Sequence, residues 1–319
     1  MSAPPAVAAH SAAATRRNRR GYALAAGAAT MWALNASMSR SLLDDGFSAL
    51  RLAQLRSAGS FLLLLMALAA TRRDLLRIER REVPALAFLG IAGLAMVHVT
   101  YFVAIDRLQI GAALTIEYLA PLAILVWLRV FHGRRLAPSL WGAVALSVVG
   151  CFFVVRAYHA GSLDALGLAA AFGSTLAFSI YVVGSERAGR RHEPVTTLLW
   201  AFGFASVFWI FAAPWWDFPF SMLDTAKNAL LALGVVVVGT LLPFVAMVSA
   251  LRLIPAPRAA VVATLEPALA AGFAWIFHGE VLAAPQIAGG VVVLAAVVWV
   301  QSHRPDVAAE AAPPGRGAQ

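Results

Sequence analysis

Ten predominantly apolar stretches, each close to 20 residues, follow one another along the chain at 22–43, 50–70, 84–105, 108–128, 136–155, 164–184, 195–213, 227–250, 256–277 and 283–302. About 20 residues at 1.5 Å each match the hydrocarbon thickness of a bilayer, so each stretch predicts a membrane-spanning helix. The polar connections are short and leave no room for an inserted soluble domain. Residues 1–20 are rich in Ala, Pro and Ser and end in Arg16-Arg17-Asn18-Arg19-Arg20, which reads as a disordered tail. The first run is longer than the roughly 7–15 apolar residues of a signal peptide, and an uncleaved first span is expected. Residues 303–319 are Pro-rich and read as a second disordered tail. The fold expected is an all-α integral membrane protein of ten transmembrane helices.

The basic residues alternate from connection to connection. Of the 25 Lys and Arg, 19 fall on the two tails and the even-numbered connections, while Arg40, Arg51, Arg56, Arg107, Arg156 and Lys227 fall on the other face. Cytoplasmic connections carry the excess of Lys and Arg, so both termini are expected on the cytoplasmic side. A constant offset of 146 residues also links two halves. Phe131-His132-Gly133 recurs as Phe277-His278-Gly279, Pro121 falls on Pro267, and Gly21, Gly27 and Ser39 fall on Gly167, Gly173 and Ser185. Five spans per half is an odd number, so the second half (164–302) enters the membrane inverted relative to the first (21–155). Inverted repeats place a midplane site at their interface in many transporters.

Composition narrows the class. The chain is 61% hydrophobic and 13% charged, against about 25% charged in soluble domains. Scattered arginine clusters between apolar runs suit anionic lipid and not nucleic acid, which needs a contiguous basic face. Cys151 is the one cysteine, which rules out an intramolecular disulfide or a cysteine metal cluster, and the histidines show no ligand spacing. No cofactor or metal is expected.

Candidate chemistry lies where polar residues interrupt apolar runs. Glu117 and Glu266 each sit about ten residues into a span, roughly 15 Å deep. A charge at that depth costs roughly 2.5–3.5 kcal/mol on insertion scales and marks a wet cavity or bundle interior. Each is followed by a proline, Pro121 or Pro267, that removes a backbone donor and bends the helix. The acids serve either as proton-coupling groups and ligands for a substrate ammonium, or as partners for carbonyls freed at the bend. Under the 146 offset they are not mates, falling one turn apart in equivalent helices. Trp32 and Asn35 share a face of the first span, and their mates Phe178 and Tyr181 share one on the sixth. Both faces either line a cavity or pack helices. Arg51 and Arg56 lie early in the second span: snorkelling to headgroups accounts for Arg51, while Arg56 is deep enough to meet a substrate carboxylate or Glu117. His98, Tyr101 and Tyr118 are candidate wall residues. Gly289-Gly290 allow close packing and leave a homodimer face open.

The segment Leu265-Glu266-Pro267-Ala268-Leu269-Ala270-Ala271 through Phe277-His278-Gly279-Glu280 resembles the end of an EamA domain of the drug/metabolite transporter superfamily. Arg134 stands where the first half would carry the acid matching Glu280, which points to a loop role for Glu280. Ala49-Leu50-Arg51-Leu52-Ala53, Ile116-Glu117-Tyr118-Leu119-Ala120-Pro121-Leu122-Ala123 and Ser185-Glu186-Arg187-Ala188-Gly189 are similar to the bacterial threonine/homoserine exporters within that superfamily. The resemblance implies ten helices in inverted halves with both termini inside. Taken with the residues, it leads to an expectation of export of a small metabolite by rocking about Pro121 and Pro267, driven either by proton antiport through Glu117 or Glu266 or passively down the substrate gradient. Import, another metabolite, a cationic drug, or a non-transport membrane subunit remain as alternatives. No constellation of an intramembrane enzyme is present.

Overall fold

The computed structural model describes residues 5–303 apart from 109, 160–163 and 280; for residues 5–14, 105, 110–112, 159 and 278 it describes the backbone alone. Every regular element among the described residues is helical. The α-helices are α1 (Pro5–Asp44), α2 (Ala49–Thr71), α3 (Val83–Phe88), α4 (Met96–Arg107), α5 (Ile110–Glu117), α6 (Ala120–Val130) and α7 (Pro138–Val154). The chain continues through α8 (Ala165–Ala188), α9 (Pro194–Ala212), α10 (Ala226–Val236), α11 (Leu242–Leu251), α12 (Ala256–Ala263), α13 (Leu265–His278) and α14 (Ala284–Ser302). Two π-helical segments, Leu89–Ala95 and Val237–Leu241, join α3 to α4 and α10 to α11 into continuous rods. Eight helical stretches are long and apolar enough to cross a membrane, and the shorter Pro138–Val154 is also apolar.

The first helix does not begin at residue 21; its backbone is helical from Pro5. It also falls outside the eight apolar stretches, because Thr30, Asn35, Ser37 and Ser39 dilute its hydrophobic run. Those polar groups are tolerable because α10, α11, α12 and α13 all pack around it. A helix wrapped in protein need not be apolar on every face.

The 146 offset reappears in the contacts. Gly21 lies where a Cβ would meet Leu253 and Ile254, and Gly167 where one would meet Arg107 and Leu108. Gly239 faces Asn35 across α1, and Gly93 faces the backbone of Tyr181 across α8. Both pairs of contacts are related by the same shift. Each half therefore seats its first helix against the other half: α1 on the α10–α11 rod, α8 on the α3–α4 rod. Gly133 and Gly279, also mates, adopt φ values of 58° and 66°. That left-handed conformation costs little only for glycine; Gly279 caps the end of α13, and Gly133 lies in the connection that follows α6.

Arg51 and Arg258, which the sequence pattern places at headgroup level and in a loop, are held by the protein. Arg51 donates from Nη1 to Gln54 Oε1 at 3.0 Å and to the Pro214 carbonyl at 2.8 Å. The end of α9 thus supplies the acceptor that lipid was expected to supply. Arg258 is 1% exposed and donates to the carbonyls of Val300 (2.7 Å) and His303 (2.8 Å) and to Tyr22 Oη (3.2 Å). A guanidinium at the carbonyl end of α14 answers groups that the helix leaves unpaired, and it ties α12 to α1 and α14. Gly289 packs inside the chain, with the Gly150 carbonyl 2.6 Å from where its Cβ would be. It is not a free face for a second copy.

Candidate substrate cavity

Both proline-bearing spans are broken, and the breaks place the acids. Pro121 removes the donor for the Glu117 carbonyl, and α5 stops there; two turn residues intervene before α6. Pro267 does the same for Ala263, where α12 stops, and α13 starts one residue later. Glu117 is the last residue of α5, whereas Glu266 lies in the first turn of α13. This geometry explains their offset: they flank equivalent breaks from opposite sides. Glu266 therefore lies at the N-terminal, positive end of a helix dipole, while Glu117 sits at a carbonyl end. Side chains from neighbouring helices answer some carbonyls near the breaks. Thr175 Oγ1 donates to Ile116 O at 2.6 Å, and Cys151 Sγ approaches Thr264 O at 3.9 Å.

Around these breaks lies a cavity of about 390 Å³. Its walls bring together all ten side chains singled out from sequence: Trp32 and Asn35 from α1, Arg56 from α2, His98 and Tyr101 from α4. Glu117 and Tyr118 come from the first break, Phe178 and Tyr181 from α8, and Glu266 from the second break. Pro121 also lines it; Pro267 is buried but does not. Glu280 lies outside the described residues. The cavity reaches Arg40 and Leu43 near the end of α1 and Ala49 at the start of α2. Towards the opposite end it is closed by α12, which is buried along its whole length.

Arg56 does not ion-pair with Glu117 among the described residues. Its Nε donates to Thr240 Oγ1 at 2.8 Å and its Nη2 to Gly239 O at 3.4 Å, both in a π-helical segment. The Thr240 hydroxyl in turn donates a hydrogen bond to Val235 O, five residues back, at 2.8 Å. The π geometry therefore builds the seat that holds this guanidinium in the wall of the cavity that Glu266 also lines. His98 Nδ1 lies 2.8 Å from Leu94 O. Phe244 is the aromatic hub: its ring centroid is 5.3 Å from Trp32, 5.1 Å from Tyr181 and 5.5 Å from Phe202. Thr240 and Phe244 escaped the reading of the sequence. For Phe244 a signal existed, since it is the repeat mate of His98; for Thr240 it did not, because a π segment leaves no mark in hydrophobic periodicity.

This arrangement is a mostly apolar chamber carrying two carboxyls and two arginines, Arg56 seated on the π segment and Arg40 at the mouth, between two similar halves. The EamA-like transporter family matches residues 19–156 and again 165–301. The chain belongs to the EamA-like transporter family. It is thus a membrane transporter of the drug/metabolite superfamily. It is 29% identical over 264 residues to the threonine/homoserine exporter RhtA of Escherichia coli (strain K12), covering 79% of this chain and 81% of that protein. It is 27% identical over 223 residues to the pseudopaline exporter CntI of Pseudomonas aeruginosa (strain PAO1), covering 69% and 76%. A solved crystal structure shares its fold with a TM-score of 0.72 at 17% identity, over 88% of this chain and 95% of that one.

Proposed function

We propose that this transporter exports a small zwitterionic metabolite of the amino-acid class through the central cavity by alternating access. The observation that carries the reading is the placement of Arg56 opposite Glu117 and Glu266 in one chamber. A guanidinium suits a carboxylate, and a carboxylate suits an ammonium, so the chamber complements both ends of an α-amino acid. Trp32, Phe178 and Tyr181 size it, with Asn35, His98, Tyr101 and Tyr118 offering polar contacts. A volume of about 390 Å³ suits a metabolite far better than a lipid-linked substrate. The likeness to the threonine/homoserine exporter RhtA supports export of an amino acid, and the likeness to the pseudopaline exporter CntI supports export as the direction.

The architecture proposed is ten spans, the eight apolar stretches together with α1 and α7, arranged as two inverted five-span repeats with both termini cytoplasmic. Glycine contacts related by the 146 offset support the repeat, and arginine alternation supports the orientation. The cavity then opens to the outer face and α12 seals the inner one. Pro121 and Pro267 act as the hinges, and a proton exchanged at Glu117 or Glu266 drives the cycle. Purified protein reconstituted in liposomes should exchange radiolabelled threonine or homoserine by counterflow. Absence of counterflow for every amino acid tested, with cationic drugs transported instead, would discard the substrate class.

A further inference from the structure

A second cavity of about 740 Å³ lies between α3, α6 and α8, and no residue lines both it and the substrate cavity. Its floor is apolar, with Leu86, Leu89, Ile124 and Leu128 buried or nearly so. Its outer wall is apolar yet exposed: Phe88 59%, Trp127 43% and Leu176 60%. Its rim carries five arginines (81, 134, 187, 190 and 191) against two glutamates (82 and 186), and Glu79 beside the rim pairs with Arg81 at 2.5 Å, leaving two positive charges in excess. Arg190 reaches Glu186 at 3.7 Å and Arg191 reaches Glu82 at 3.9 Å. Arg134 and Arg187 make no ion pair with a carboxylate among the described residues. Arg187 donates to His132 Nε2 at 2.8 Å, so the His132 proton sits on Nδ1. That Nδ1 is buried and finds no acceptor among the described residues.

We propose that this groove binds one anionic phospholipid of the surrounding membrane. Its phosphate sits at the rim between Arg134 and Arg187, and its acyl chains run along Phe88, Trp127 and Leu176. A groove open sideways through exposed apolar side chains suits acyl chains, and an arginine fork suits phosphate oxygens. Basic pockets between membrane helices are where such headgroups are recognised. The same excess charge repels a cationic guest. A free phosphate, the rival with the same charge chemistry, would gain nothing from the exposed apolar wall.

Native mass spectrometry of the purified full chain, offered equal phosphatidylglycerol and phosphatidylcholine, tests this. Wild type should retain phosphatidylglycerol preferentially. Each of R134Q and R187Q should lower its affinity about fivefold, taking ~1 kcal/mol per arginine. A control pair, R16Q/R17Q, should leave the preference intact. Glycerol phosphate, the headgroup without tails, should not displace the lipid. Equal retention of the two lipids by wild type overturns the proposal and needs no variant. So does an equal loss in the control pair, or displacement by glycerol phosphate. Counterflow in the R134Q/R187Q double variant should persist, which keeps this result separate from the substrate reading.

Discussion

Arg56 is held by two neutral acceptors, Thr240 Oγ1 and Gly239 O, and by no carboxylate at ion-pair distance among the described residues. Its charge is therefore available to a ligand. A charge-assisted hydrogen bond contributes about 1.5–3 kcal/mol, so Arg56→Gln should weaken binding of a carboxylate-bearing substrate roughly 10- to 100-fold. Isothermal titration with threonine and with its amide separates the roles: the amide, lacking the carboxylate, should bind wild type and variant alike. Thr240→Val tests the seat itself. It removes the acceptor for Nε but leaves the guanidinium, and a fall smaller than that of Arg56→Gln is expected. Arg258 is the contrasting case, a buried arginine whose donors are engaged by Val300, His303 and Tyr22. Arg258→Leu leaves carbonyls at the end of α14 unanswered and should cost about 1–3 kcal/mol, read as a lower melting temperature in detergent with substrate affinity unchanged.

At the scale of elements, glycines decide how closely helices approach. A Cβ on Gly289 would lie 2.6 Å from the Gly150 carbonyl, and one on Gly150 would lie 2.8 Å from the Gly289 carbonyl. Backbone has nowhere to go, so Gly289→Ala should destabilise the α7–α14 pair by about 1–3 kcal/mol. Gly27, in the middle of α1, has nothing within 4 Å, and Gly27→Ala should be neutral or stabilise by up to about 1 kcal/mol through helix propensity. Thermal unfolding of the two variants side by side checks both. The same contacts show what the sequence could and could not reveal. Because a bilayer demands about 20 apolar residues of any span, hydrophobic runs located the helices to within a few residues, except at the start of α1, whose helix extends back beyond the apolar run to Pro5. Of the ten cavity side chains the polar ones were legible because a polar or ionisable residue inside such a run faces protein or water, and Trp32 and Phe178 were found as the partners of Asn35 and Tyr181 on the same helix faces. The π segments were not, since inserting one residue in a helix shifts a face without changing composition. Nor was the burial of Arg258, because counting arginines by connection takes no account of the tertiary contacts that bury one.

For the whole molecule, the open end of the cavity makes a statement about state. Arg40, Leu43 and Ala49 sit at the mouth, on the arginine-poor face, while α12 closes the other end. If that face is external, this is the outward-open member of a pair of states, and substrate must also select an inward-open member in which α12 separates from α1. A single cysteine placed at Leu43 reports the equilibrium, because the native Cys151 is buried and does not compete. In right-side-out vesicles, Leu43→Cys should react with a membrane-impermeant maleimide, and the rate should change when substrate is added, since a ligand shifts only those equilibria whose states it binds unequally. Inside-out vesicles should label it slowly. Labelling that is fast in inside-out vesicles and slow in right-side-out ones would reverse the orientation. A rate indifferent to substrate would argue that the cavity does not rearrange when it is occupied. Imposing a pH gradient adds the remaining test: stimulated flux that disappears in both Glu117→Gln and Glu266→Gln supports proton exchange at the helix breaks, whereas equal flux with and without the gradient leaves passive export down the substrate's own gradient.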